Sequence, residues 1–80
     1  MTYWALHFEV QEHRQERYEP RVRIYGPIPD PALVHRECER MNSTGRVGTS
    51  PGSRRVRNAR VDKVDKAEAE RLYRSQRGQL

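Results

Sequence analysis

Tyr3-Trp4-Ala5-Leu6-His7-Phe8-Glu9-Val10-Gln11 alternates without a break. Trp4, Leu6, Phe8 and Val10 fall on one side and Tyr3, Ala5, His7, Glu9 and Gln11 on the other. A period of two in aromatic and branched residues is the signature of a β-strand. The polar second side predicts a sheet covered on one face only. Downstream, Arg21 to Tyr25 alternates again, with Val22 and Ile24 expected inward and Arg21, Arg23 and Tyr25 outward. The two segments should pair as an antiparallel hairpin, joined by the charged stretch 12–20, whose one apolar residue is Tyr18.

Gly26-Pro27-Ile28-Pro29-Asp30-Pro31 ends the second strand, because proline gives the ladder no donor and the residue before it avoids the helical region. Asp30 before Pro31 then reads as a helix start. Leu33, Val34, Cys38 and Met41 recur at helical spacing and form the stripe expected to lie on the sheet, and Gly45 is placed to end the helix. Val22-Arg23-Ile24-Tyr25-Gly26-Pro27 with its capped helix resembles a strand-to-helix unit of SPOR domains, which bind peptidoglycan. That resemblance implies a sheet backed by a helix and carries no function across.

Residues 46–54 are rich in Gly, Ser, Thr and Pro and are expected to be a flexible basic loop. In 54–64 the apolar residues Val56, Ala59, Val61 and Val64 fit neither period two nor period 3.6 well; a short third strand centred on Arg57 to Val61 is expected, with a helix extension as the alternative. A second helix is predicted from Lys66 to about Gln76, with Asp65 as its cap, Glu68 three residues on, and Ala69, Leu72 and Tyr73 as a narrow apolar stripe.

The expected architecture is α+β: a small antiparallel sheet of two or three strands, one helix packed on one face, and a second C-terminal helix, in the order ββα(β)α. Residues 1–45 would form the ββα core, 46–54 the loop, 55–77 the third strand and second helix of the same domain, and 78–80 a frayed tail. Trp4, Leu6, Phe8, Val10, Val22, Ile24, Leu33, Val34, Cys38 and Met41 make a small core, which dimerisation or a larger partner would help to stabilise.

With 34% apolar and 34% charged residues among 80, no stretch approaches the roughly 20 apolar residues of a membrane span. No cationic start leads into an apolar run, so no secretory signal is expected. The lone Cys38 has no intramolecular partner, which fits a reducing, cytoplasmic setting. Arginine outnumbers lysine 14 to 2, a bias common in GC-rich bacterial and phage genomes, so position says more than abundance. The formal charge is −2 over 1–20, +1 over 21–45, +5 over 46–61 and +1 over 62–80, so one acid-free window equals the net charge of +5.

Guanidinium groups bind phosphate oxygens with paired donors, so Arg46, Arg54, Arg55, Arg57 and Arg60 are the candidate nucleic-acid contacts. Arg21 and Arg23 would extend the patch on the outer strand face, where Tyr25 or Tyr3 would stack on an unpaired base. The expected function is that of a small basic accessory protein binding DNA or RNA; the alternative is a modulator that docks on a larger protein, or on an acidic protein surface, through its sheet edge or helix.

Catalysis is not expected. Glu37 and Glu39 flank Cys38 on different helical faces, and Gly45, Gly48 and Gly52 lack the lysine and spacing of a phosphate loop. His35 and Cys38 are three apart, but His7 and His13 would have to complete a metal site, so no metal or other cofactor is expected.

Overall fold

The computed structural model of the chain describes residues 2–11, 16–48 and 52–77. It is an α+β fold in the order β1 (Tyr3–Gln11), β2 (Tyr18–Tyr25), α1 (Ala32–Thr44), β3 (Val56–Val64) and α2 (Lys66–Arg77). The sheet order is β2-β1-β3, with β1 antiparallel to both neighbours. β2 and β3 therefore run parallel on either side of β1, and α1 carries the chain from one edge to the other.

Register assigns the faces, because directly opposed residues of an antiparallel pair share one side. Leu6, Phe8 and Val10 join Val56 and Ala59 of β3 against Val34 and Met41 of α1; all seven are buried. Trp4, Tyr25, Ile28, Cys38, Val47 and Val61 pack around them. Trp4 opposes Tyr25 and Leu6 opposes Arg23, whereas Ala5 opposes Ile24 and His7 opposes Val22. Val22 and Ile24 thus sit on the face away from α1, and the expectation that they share a core with Leu6 and Phe8 is corrected by the register.

Sequence alternation alone cannot fix which set of β2 faces α1; pairing with β1 does. The consequence is that Arg21, Arg23 and Tyr25 lie on the α1 side. The site tolerates arginines there because α1 packs mainly over β3, away from β2. Long stems cover that flank while their heads reach water.

α2 lies on the opposite face, against β2 and β1, where Ala5 is fully buried and Ala69 is 2% exposed. The two helices therefore cover diagonally opposed parts of the sheet, and the face expected to be wet is half covered. Leu33, placed by spacing in the α1 stripe, is 67% exposed and belongs to no core, whereas Val34 and Met41 are fully buried.

Local signals account for the helix ends. Asp30 Oδ1 accepts from the Ala32 amide at 3.0 Å, Pro31 occupies the N-cap, and Gly45 closes α1 in the left-handed region with φ 69°. Asp65 Oδ1 accepts from the Glu68 amide at 2.7 Å at the start of α2. Gly26, after β2, has φ 130°, and a Cβ there would stand 2.9 Å from the Thr2 carbonyl oxygen.

β3 is longer than the expected Arg57 to Val61 and contains a bulge. His7 opposes Arg60 and Glu9 opposes Arg57, so three steps on β3 match two on β1. Asn58 absorbs the extra residue at φ 54°, a backbone region asparagine tolerates better than most residues. Val56 and Ala59 consequently share the α1 face three residues apart, and Val61 follows two later. That is why the segment fits neither simple period. β2 also begins earlier than expected, at Tyr18, and accommodates Pro20 as an edge strand can.

Candidate nucleic-acid interface

The base of the 46–54 segment is a short ribbon. Val47 N–H donates to the Arg54 carbonyl and Val56 N–H to the Gly45 carbonyl, each at 2.9 Å. Between these bonds Arg46 faces Arg55 in an antiparallel bridge. Such a pair has no direct backbone bond between its members, and its side chains are the closest of any in a ladder. The Arg55 carbonyl also accepts from Gln11 N–H at 2.9 Å, which joins the ribbon to the end of β1. Arg46, expected in a flexible loop over 46–54, is therefore held opposite Arg55 by backbone hydrogen bonds; residues 49–51 lie outside the described residues.

Two like charges placed directly across a ladder repel. Arg46 donates from Nη1 to the Ser53 carbonyl at 2.7 Å, and no described carboxylate pairs with Arg46 or Arg55. Arg54, between Ser53 and Arg55, is exposed. This end of the molecule thus gathers three cations on a backbone ribbon fixed by hydrogen bonds.

Arg57 and Arg60 lie elsewhere, on the face opposite α1. Arg57 Nε donates to Glu9 Oε1 at 3.0 Å, and its guanidinium stacks over the Tyr18 ring 4.0 Å from the centroid. Asn58 Nδ2 donates to the same Glu9 oxygen at 2.6 Å. Those two hydrogen bonds, Asn58's the larger, hold the Glu9 carboxyl below the usual carboxylate range. Arg60 Nη1 donates to Asp62 Oδ2 at 3.0 Å, and His7 Nε2 is 3.3 Å from that oxygen. Both arginines stay more than half exposed at the side chain, so these ion pairs are weak.

Register places Arg21, Arg23 and Tyr25 on the α1 side, although Arg21 also lines the pocket formed with His7, Glu9, Asn58 and Arg60. Arg21 pairs with Glu19 at 3.2 Å; Arg23 lies over the Phe8 ring at 5.5 Å and 3.9 Å from Glu37; Tyr25 packs on the core. Tyr3 lines the groove beneath α2 with Ile24, Ala69 and Tyr73. Alternation missed Tyr18, Glu9, Asn58 and His7, which share the open face with Arg57 and Arg60. The signal available for them was the Arg57-Asn58 step in a strand with broken period and the lone aromatic of the first loop.

His35 is exposed on α1 and makes an edge contact with Trp4, on the far side of the sheet from His7, and His13 lies outside the described residues. Among the described residues no three His, Cys, Asp or Glu side chains gather as a metal site, and no helix is long and apolar enough to cross a membrane. Comparison of the chain with protein-family models, with curated proteins and with solved structures finds no match.

Proposed function

We propose that this chain binds nucleic acid, with Arg46, Arg54 and Arg55 contacting phosphates without reading sequence. The observation that carries this reading is the Arg46–Arg55 pair: two arginines set directly across a ladder by backbone bonds, with no described carboxylate paired to either. Repulsion between them falls when an anion sits at both, and paired donors suit phosphate oxygens. Arg57 and Arg60 already hold Glu9 and Asp62, so they are secondary contacts.

The salt dependence of binding to a duplex tests this. Three phosphate contacts predict a slope of log K against log salt of about −2 to −3. A slope of about −4 to −5 would mean that Arg57 and Arg60 exchange their carboxylates for phosphate as well. Arg46→Ala with Arg55→Ala should weaken binding on every sequence alike. No binding at low salt, or binding indifferent to that double change, rejects the reading; a partner retained by the chain after nuclease treatment would point to an acidic protein surface in its place.

A further inference from the structure

The open part of the face opposite α1 contains a shallow pocket of about 270 Å³. His7, Glu9, Pro20, Arg21, Asn58 and Arg60 line it, and Phe8, whose ring is in the core, adds to its floor. Its walls combine flat rings with hydrogen-bonding groups: the His7 imidazole and the Pro20 ring, then the Asn58 amide, the Arg60 guanidinium and the Glu9 carboxylate. Glu9 also joins the pocket to the stacked pair beyond it, because one carboxylate oxygen accepts from both Asn58 and Arg57. Arg57 has its inner plane on Tyr18 and remains 54% exposed, so its outer plane is available to a second flat group.

This combination suits a nucleobase with its edge and face both free. A phosphate alone would find Glu9 and Asp62 in its way, and a duplex has no unpaired base to offer. Resting on the nucleic-acid reading above, we infer that this pocket receives an unpaired base of a single strand, with the next base stacked on Arg57. Guanidinium planes and rings are the surfaces on which single-stranded bases stack, and stacking tolerates any base. The Arg46–Arg55 ribbon then holds the phosphates of the same strand as it leaves the sheet beside Gln11, whose amide bonds the Arg55 carbonyl.

Fluorescence anisotropy with labelled oligomers of about twelve nucleotides, within the usual site size of small single-strand binders, separates the possibilities. The probes are an intact single strand, the same strand with abasic central positions, and a duplex of equal length, the single strands in ribose and deoxyribose forms. The intact strand should bind about five-fold or more tighter than the abasic one, the low end for one stacked base. Arg57→Lys keeps the charge and loses the plane; Asn58→Gly keeps the backbone conformation and loses the amide. Combined, they should bring intact and abasic strands within about two-fold. Equal binding of intact and abasic strands by the unaltered chain overturns the inference and spares the phosphate reading, provided Arg46→Ala with Arg55→Ala weakens both. Failure to bind any probe at low salt overturns both. A melting transition like that of the unaltered chain shows that a variant has folded.

Discussion

The side-chain amide of Asn42 on α1 grips both backbone polar groups of Ala59 on β3. Its oxygen accepts from the Ala59 N–H and its nitrogen donates to the Ala59 carbonyl, each at 3.0 Å. The bulge at Asn58 displaces β3 from the β1 ladder at this point, and the Asn42 amide supplies the two hydrogen bonds that a strand neighbour would have given. Helix and bulge are thus one structural unit, and the direction in which Arg57 and Arg60 are presented depends on a residue on the other side of the sheet.

Asn42→Ala should therefore cost about 2 kcal/mol, since it leaves a donor and an acceptor unpaired at a residue only 8% exposed. Ser43→Ala, at the exposed neighbouring position, should cost less than about 0.5 kcal/mol. Urea denaturation of both variants checks the difference. Equal midpoints would mean that the amide contributes nothing.

Asn58 separates backbone from side-chain effects. Asn58→Gly should be tolerated within about 1 kcal/mol, because glycine adopts a positive φ freely. Asn58→Val should cost at least about 2 kcal/mol, since a branched side chain resists that region. Thermal melts of the pair measure it, and a valine variant as stable as the glycine one would show that the bulge had moved or closed.

At Gly26 the constraint is both conformational and steric, and Gly26→Ala should destabilise by of order 2 kcal/mol. A Cβ would crowd the Thr2 carbonyl, which accepts from Ile28 N–H at 2.9 Å, so the contact between chain start and turn should loosen together with the fold. Hydrogen exchange at the Ile28 amide is the local readout; unchanged protection would exclude the contact as the cause.

Leu33 and Met41 fell in one helical stripe by spacing, and they should respond oppositely to truncation. Met41→Ala should cost about 2–5 kcal/mol, whereas Leu33→Ala should stay within about 0.5 kcal/mol. Denaturation midpoints decide, and a large loss at Leu33 would place it in contact with something.

Acid should weaken the fold through Glu37 as well as Glu9. The hydrogen bond from Arg40, helped by the charges of Arg40 and Arg23, holds the Glu37 carboxyl below its ordinary range against the opposing effect of burial. A carboxylate lowered in the folded state adds stability that is present above its unfolded value and lost as pH falls through the folded one. The melting temperature should hold from neutral pH to about pH 5 and then decline, and Glu37→Gln should flatten part of that decline. Identical pH profiles for the two proteins would remove Glu37 from the account.

Much of the fold was legible. The unbroken alternation of Tyr3 to Gln11 identified β1, Asp30 and Gly45 bracketed α1, and Asp65 with Glu68 marked the start of α2. What could not be read was pairing. Which side of β2 meets α1 is a property of register, and so the faces of Arg21, Arg23 and Tyr25 were assigned the wrong way round. The bulge blurred the extent of β3 because one inserted residue converts a two-residue period into a step of three between Val56 and Ala59. The window from Arg46 to Arg60 was visible as charge, but its division was not. Arg46 and Arg55 meet on a ribbon, while Arg57 and Arg60 turn to the far face, and only the hydrogen-bonded partners of each strand distinguish the two.

Each outermost strand of the sheet carries an irregularity that matters beyond its own neighbourhood. Pro20 on β2 has no N–H to offer a newcomer, and the extra residue at Asn58 on β3 breaks the even spacing that an incoming chain would need to match. Both features are of the kind that hinders another chain from adding itself to a sheet border.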